Sequence, residues 1–169
     1  MRVTVLVVVA LLAAHVAVGA AGRSRRILVL CSGNSARSQM AEGVLKSLDS
    51  TLDVQSAGIT PAARVNPHAI RAMKEIGIDI SGEHPKPVQQ FVKQSFDYVI
   101  TVCDDADKNC PVFSGKVGTR THIGFPDPAE ATGTEEQIMK VFRAVRDDIR
   151  TKFTAYYHDT IAKSAHQTR

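Results

Sequence analysis

The sequence is poor in cysteine, with three in 169 residues. Three is an odd number and too few to build a disulfide scaffold. Cys31, Cys103 and Cys110 do not form a C-x-x-C pair, and no histidine lies at a zinc-ligand interval from them. A structural metal site is therefore not expected, because structural zinc needs four ligands at such spacings.

A concentrated block of basic residues is also absent. Lys and Arg number 21 against 17 Asp and Glu, and the formal charge of +4 is spread along the chain. Such a distribution favours attraction to anions in general, whereas nucleic-acid binding is typical of a clustered basic surface. The chain has no internal repeat, low-complexity stretch or interdomain linker, so its length indicates one domain with a real core. We expect a monomer that binds no nucleic acid.

Residues 1–24 differ from the rest because they are almost continuously apolar. This segment is compatible with a secretory signal, since Gly19, Ala20 and Ala21 resemble a small-residue cleavage site, or with a short membrane anchor. It is also compatible with an upstream extension from a mis-assigned start. More arginines follow the apolar run than precede it, which argues against export. We place the folded domain at 25–166 and predict a cytoplasmic protein, with a membrane-tethered or exported protein as the alternative.

The remainder alternates short apolar runs with segments of helical periodicity. The run at 27–30 is wholly apolar, which is typical of a strand buried in a parallel sheet. Asn66 before Pro67 predicts a helix start, and Thr134 before Gln137 predicts a capping box. The alternation predicts a single-domain, three-layer α/β sandwich, in which helices flank both faces of a four-stranded parallel sheet. The expected strands lie at 27–30, 52–57, 97–102 and 119–124, and the expected helices at 38–48, 66–77 and 134–161.

Cys31 lies directly after the first of these strands and opens the loop CSGNSARS. A short strand-to-helix connection turns successive backbone N–H groups inward and forms a concave anion-binding nest. Gly33 and Asn34 tolerate the positive φ that such a turn needs, and Arg37 adds a planar fork that matches a tetrahedral oxyanion. The same positive field stabilises a thiolate, so we expect a lowered pKa for Cys31 and attack on phosphorus or arsenic; a small buried cysteine is the alternative. The predicted oxyanion-binding residues are Ser32, Gly33, Asn34, Ser35, Ala36, Arg37 and Ser38.

Further reactive residues are expected at the same edge of the sheet, because ligands bind at the carboxyl ends of parallel strands. Asp127 stands between two prolines that fix its direction, and a carboxyl near a thiolate can act as a general acid. A turn-forming aspartate is the alternative. Cys103 follows the third strand and is joined to Cys110 by the polar stretch DDADKN, which we expect to be flexible. Two thiols on a mobile loop facing a third can pass a disulfide along, whereas a core position is the alternative for Cys103.

The stretch CSGNSARSQMAEG resembles the phosphate loop of low-molecular-weight protein tyrosine phosphatases and of the arsenate reductases that share their fold. The resemblance extends through SAGI at 56–59, NPHAIRAMKEIGIDIS at 66–81, ITVCDDADKNCP at 100–111 and GFPDPA at 124–129. Ala36 stands where the phosphatases usually carry a second loop cysteine, and no tyrosine lies between Asp127 and Tyr156. RSQMAEG and the segment from Cys103 to Cys110 are more similar to the thioredoxin-coupled arsenate reductases.

This resemblance implies reduction of arsenate to arsenite by a three-cysteine relay without a bound cofactor. Cys31 would attack arsenic while Asp127 protonates the departing oxygen, then Cys103 would attack Cys31, and Cys110 would attack Cys103. A thioredoxin-like partner would reduce the final disulfide, which suits a reducing compartment. One alternative is a phosphatase that hydrolyses phosphomonoesters through Cys31, Arg37 and Asp127, an activity also expected as a side reaction of the reductase. The other is a non-catalytic oxyanion or redox sensor.

Some relatives bind potassium beside the loop through Asn, Glu, Ser and Asp. Three of these match Asn34, Glu42 and Ser56, whereas Lys86 occupies the acidic position. We expect the Lys86 ammonium to take the place of the cation and to support Asn34 directly, so turnover should be indifferent to potassium. The alternative is a solvated lysine between two prolines.

Overall fold

The computed structural model describes residues 24–166, and a four-stranded sheet lies at its centre. Its strands are parallel and lie in the order β2-β1-β3-β4. All four carboxyl ends therefore meet at one edge, as the sequence predicts. The strands are β1 (Arg26–Cys31), β2 (Asp53–Gly58), β3 (Phe96–Thr101) and β4 (Val117–His122).

The core is centred on β1. Ile27, Leu28, Val29 and Leu30 have no solvent exposure. Since successive residues of a strand point to opposite faces, both faces of the sheet are covered at this position. The predicted α/β fold with a four-stranded parallel sheet is confirmed.

Five α-helices accompany the sheet within residues 24–166. Asn66 caps the second of them, since its side chain accepts a hydrogen bond from the N–H of His68 at 2.9 Å. Thr134 and Gln137 form the predicted capping box. The helices are α1 (Arg37–Leu48), α2 (Pro67–Lys74), α3 (Asp104–Lys108), α4 (Glu135–Tyr156) and α5 (Ala162–His166), with a π-helical turn (Tyr157–Ile161) between the last two.

The main difference from the sequence prediction is α3. The polar stretch after Cys103 is helical instead of irregular. Asp104, Asp105 and Asp107 lie in its first turn, where negative side chains interact favourably with the helix dipole. The other differences are smaller: β4 begins and ends two residues earlier than expected, and α2 ends at Lys74, before Gly77.

The apolar segment 1–24 lies almost wholly outside the described residues, so the three interpretations of it remain predictions. Within 24–166, no helix combines the length and the apolar character needed to cross a membrane.

Candidate active site

Cys31 and Cys103 meet where β1 and β3 end. Cys31 is the last residue of β1, and Cys103 follows β3 by two residues. The chain stays beside β1 at this point, because the N–H of Val102 donates to the carbonyl of Leu30 at 2.9 Å. Both cysteines are buried, and their side chains are hydrogen-bonded to each other. Two residues 72 positions apart in the chain thus form one thiol pair.

The pKa values of the two thiols are shifted differently from the sequence prediction. The pKa of Cys103 is lowered to about 5, chiefly by the hydrogen bond from Cys31 and also by the N–H groups of Ala106 and Ser32, which together outweigh the effect of burial. The same hydrogen bond, together with burial, raises the pKa of Cys31. Arg37 and the N–H of Gly33 act in the opposite direction but are outweighed. The pKa of Cys31 is thus raised and that of Cys103 lowered, the opposite of the lowered pKa expected for Cys31.

The loop from Cys31 to Arg37 has a fixed backbone. The carbonyls of Cys31, Ser32, Gly33 and Ser35 all accept hydrogen bonds from backbone N–H groups of residues 59–66, at 2.8–3.1 Å. With its carbonyls directed to that neighbouring segment, the loop can present N–H groups on its concave side. Asn34 adopts a φ of 49°, as expected for this turn.

Gly58 is required beside this loop. A Cβ atom at this position would lie 2.8 Å from the carbonyl oxygen of Ser32 and 3.0 Å from the nitrogen of Asn34. Any larger residue would therefore displace the loop backbone. The motif SAGI showed that the segment matters, but the close approach was not visible in the sequence.

Arg37 connects the loop to Asp127. One terminal nitrogen, Nη2, lies 2.5 Å from Oδ2 of Asp127, and Nη1 donates to the carbonyl of Phe125 at 3.1 Å. The third nitrogen, Nε, is buried and has no hydrogen-bond partner in the described part of the chain. Buried donors are normally satisfied, so this N–H is a donor that is still available if the guanidinium group turns toward an oxyanion in the loop.

Asp127 has two contacts. Besides the ion pair with Arg37, its Oδ1 accepts a hydrogen bond from the N–H of Ala129 at 3.0 Å and caps a 3₁₀ turn (Pro128–Glu130). The turn of the alternative interpretation is therefore present, and the other carboxylate oxygen faces the loop through Arg37. Its side chain is about one-third exposed, at 31%, so protons can exchange between it and solvent.

A cavity of about 630 Å³ opens beside Cys103, Arg37 and Asp127, and Cys31 lies behind its wall. Arsenate or phosphate fits it easily, and its wall contains no tyrosine. Its one aromatic lining residue, Phe125, is buried and stacks on Phe153. The wall consists of Ser32, Arg37, Cys103, Asp104, Asp105, Gly124, Phe125, Pro126, Asp127 and Glu130.

Beneath the loop lies a buried polar network. Asn34 donates to Ser38 at 2.9 Å and to Ser56 at 2.7 Å, and Ser56 donates to Glu42 at 2.5 Å. Lys86 contacts both ends of this network, but not as expected. Its backbone N–H, not its ammonium group, donates to Asn34 Oδ1 at 2.8 Å.

The Lys86 ammonium group faces Glu42 instead. Its Nζ lies 3.6 Å from Oε2 of Glu42, and the residue is only 9% exposed, so it is not the solvated lysine of the alternative interpretation. Lys46, which sequence reasoning missed, lies closer, with its Nζ 2.6 Å from Oε1 of Glu42. Its spacing of four residues from Glu42 on α1 was the available signal.

Cys110 lies apart from the other predicted site residues. It is half-buried beside β4, where Nη1 of Arg120 donates to its Sγ at 3.3 Å. A smaller cavity of about 160 Å³ adjoins it, lined by Val99, Thr101, Asp107, Cys110, Arg120, Thr121 and His122. The structure thus brings Cys31, Cys103, Arg37 and Asp127 together and leaves Cys110 at a second position.

Side chains missed in the sequence hold α3 between these two positions. Ser32 donates to Asp105 at 2.8 Å, and Thr101 donates to Asp107 at 2.8 Å. Because the Thr101 hydroxyl proton is used in that bond, its oxygen accepts from Nδ1 of His122 at 2.9 Å. Within 24–166, no group of three or more His, Cys, Asp or Glu side chains is arranged to hold a metal ion.

The α/β fold, the loop that begins at Cys31 and the position of Asp127 beside Arg37 together define a phosphatase-like protein. The chain belongs to the low molecular weight phosphotyrosine protein phosphatase family, whose model matches residues 26–167.

Within this family, the similar proteins include arsenate reductases. An arsenate reductase of Halalkalibacterium halodurans is 48% identical over 131 residues, which cover 77% of this chain and 93% of that protein. The structure of an arsenate reductase in its phosphate-binding state superposes with a TM-score of 0.65 at 32% identity, covering 78% of this chain and 95% of the other. A thioredoxin-dependent arsenate reductase of Corynebacterium glutamicum superposes with a TM-score of 0.54 at 28% identity, covering 80% of this chain and 63% of the other.

Proposed function

We propose that this protein is an arsenate reductase that passes a disulfide through Cys31, Cys103 and Cys110 and is regenerated by a thioredoxin-like protein. The observation that carries the proposal is the hydrogen-bonded pair of Cys31 and Cys103 beside the oxyanion loop. A phosphatase needs one thiol at this place, whereas a reductase needs a second thiol that can reach the first. The relatives named above support the same activity.

The first step forms a bond between sulfur and arsenic. Arsenate binds the loop N–H groups and the free Nε–H of Arg37. The proton of Cys31 passes to the Cys103 thiolate, and the Cys31 sulfur attacks arsenic. An arsenate hydroxyl group leaves. Asp127 gives up Arg37 to the oxyanion, takes up a proton from solvent and passes it to this hydroxyl, which departs as water.

The second step reduces arsenic. Cys103, deprotonated again, attacks the Cys31 sulfur and forms a Cys31–Cys103 disulfide. The electron pair of the sulfur–arsenic bond goes to arsenic, which leaves as arsenite in the trivalent state. The N–H groups of Ser32 and Ala106 favour the thiolate form of Cys103.

The third step transfers the disulfide outward. Cys110 attacks Cys103, and Cys31 is released as a thiolate into the field of Arg37. A disulfide needs Cα atoms within about 7 Å, whereas the five residues of α3 alone span about 7.5 Å. Since α3 lies between Cys103 and Cys110, it must unwind, and the partner then reduces the exposed Cys103–Cys110 disulfide.

We also propose the extent and setting of the enzyme. The catalytic domain comprises residues 25–166 and acts as a monomer without a bound cofactor. Because its product disulfide needs a dithiol reductant, the reducing cytoplasm is the compartment that fits the reaction.

A paired assay tests this function against its alternatives. Purified protein is incubated with arsenate and reduced thioredoxin, and separately with an aryl phosphate. We expect thioredoxin-dependent arsenite formation, with slower phosphate ester hydrolysis. Hydrolysis without arsenite formation would identify a phosphatase, and oxyanion binding without either product would identify a sensor.

A further inference from the structure

Arg120 holds Cys110 through two contacts. Its Nη1 donates to the Cys110 sulfur at 3.3 Å, and its guanidinium carbon lies 5.2 Å from the ring centroid of Phe113. Phe113 is buried and packs edge-on against Phe96, with ring centroids 6.2 Å apart. The guanidinium group therefore fastens the segment after α3 to an anchored aromatic side chain.

The place of Arg120 on β4 sets where Cys110 is held. Arg120 pairs with Val99, whereas His122 pairs with Thr101, the last residue of β3. At about 3.3 Å per residue, Arg120 lies about 7 Å further from the carboxyl edge of the sheet than His122 does. Cys103 lies beyond Thr101 at that edge, so the contact with Arg120 keeps Cys110 back from it.

We propose that Arg120 is a positioning residue that holds Cys110 away from Cys103 until Cys31 has been oxidised, and so sets the order of the two disulfide exchanges. This inference rests on the proposed relay. If Cys103 and Cys110 were oxidised first, the Cys31–arsenic adduct would have no thiol to attack it. With a disulfide oxidant such as oxidised glutathione, that wasteful reaction consumes both thiols and yields two molecules of reduced glutathione.

The charge on Cys103 makes such a restraint necessary. Its pKa of about 5 leaves it a thiolate at neutral pH, and thiolates are the reactive form in disulfide exchange. The distance to Cys110 is then what keeps Cys103 from closing a disulfide with Cys110 too early.

Equilibration with a glutathione redox buffer, without arsenate, tests this proposal. The ratio of Cys103–Cys110 disulfide to dithiol is measured by acid quench and peptide mapping. Arg120→Gln removes a contact that is present in the reduced protein. The ratio of disulfide to dithiol should therefore rise about fivefold, which corresponds to a reduction potential about 20 mV more negative. Lys116→Gln removes a positive charge one residue before β4 and should match wild type. Arg120→Lys keeps the charge but loses the planar fork, and should fall between the two.

Failure of this proposal can be distinguished from failure of the relay. Single-turnover arsenite release by Cys110→Ser protein tests the relay alone, and adding Arg120→Gln to that variant should leave the release unchanged.

If Arg120→Gln and Lys116→Gln give equal disulfide ratios, the role of Arg120 is refuted. If Cys110→Ser releases no arsenite, the relay is refuted instead. If Arg120→Gln does not fold, Arg120→Lys decides, and a ratio equal to that of Lys116→Gln again refutes the role.

Discussion

The oxyanion loop and the segment from Cys103 to Cys110 are both short and both carry reactive sulfur, but they are held differently. The loop is fixed through its backbone, by four carbonyl hydrogen bonds to residues 59–66 and by the buried Asn34 network. The segment contains only a five-residue helix, which side chains such as Asp105 and Asp107 tie to the loop and to β3.

Because of this difference, the loop is suited to binding an oxyanion and the segment from Cys103 to Cys110 is suited to moving. Four backbone hydrogen bonds and a buried network keep the loop in one geometry, which oxyanion binding requires. α3 is tied by a few side-chain hydrogen bonds, some of them exposed, and by one small buried side chain, Ala106, whereas the carboxyl side chain of Asp104 is 80% exposed. Elements held in this way open at low free-energy cost, so α3 can unwind without disturbing the loop.

The largest expected effect comes from the loop, which serves both possible reactions. Cys31→Ser should abolish arsenate reduction and phosphate ester hydrolysis together, because both need the same sulfur nucleophile. Arsenite formation and aryl phosphate hydrolysis are measured on the same preparation. Turnover of either substrate by this variant would contradict the assignment of Cys31.

The next-largest effect should separate arsenate reduction, which needs the segment from Cys103 to Cys110, from phosphate ester hydrolysis, which needs only the oxyanion loop. Cys103→Ser should abolish arsenate reduction but retain phosphate ester hydrolysis, since hydrolysis uses neither relay thiol. Cys110→Ser should release about one arsenite per protein and stall as the Cys31–Cys103 disulfide, because the third step lacks its nucleophile.

Peptide mapping after a single turnover measures both variants. Wild-type protein, as the control, should show a Cys103–Cys110 disulfide. Its absence, together with normal arsenate reduction by Cys103→Ser, would refute the relay and favour the phosphatase.

Local patterns were enough to predict the loop. Cys31, Gly33, Asn34 and Arg37 are neighbours in sequence, and the tolerance of Asn34 for positive φ is a local property that the pattern reveals. The order of strands and helices was equally visible, because hydrophobic periodicity and caps such as Asn66 are local signals.

The pairing of distant residues was not predictable in this way. The charge on Cys103 depends on a hydrogen bond from Cys31, and the position of Cys110 depends on Arg120. Each contact joins elements that only the fold brings together. The Lys86 prediction failed in part for the same reason, because its backbone and its ammonium group face different partners.

A smaller effect should appear in the titration of the thiol pair. Thiolate absorbance in Cys110→Ser protein should fall as the pH drops through about 5, because Cys103 takes up a proton there. Cys31→Ala removes the hydrogen bond that contributes most to this low pKa, so the transition should move to higher pH. Cys31→Ser keeps a donor and should move it less. A transition that does not respond to Cys31→Ala would show that the two sulfurs do not interact.

The smallest effect is expected when the cation in the buffer is changed, through the buried polar network beneath the loop. Glu42 is 1% exposed and already faces Lys46 and Lys86, so a further cation has little charge left to neutralise. Replacing sodium by potassium at constant ionic strength should therefore change turnover by less than about twofold. Lys86→Ala should make turnover sensitive to potassium, because Glu42 then keeps a single charged partner, whereas Lys93→Ala, at an exposed position, should not. Strong activation of wild-type protein by potassium would mean that a cation binds beside Glu42 despite both lysines, and that this network depends on solvent ions after all.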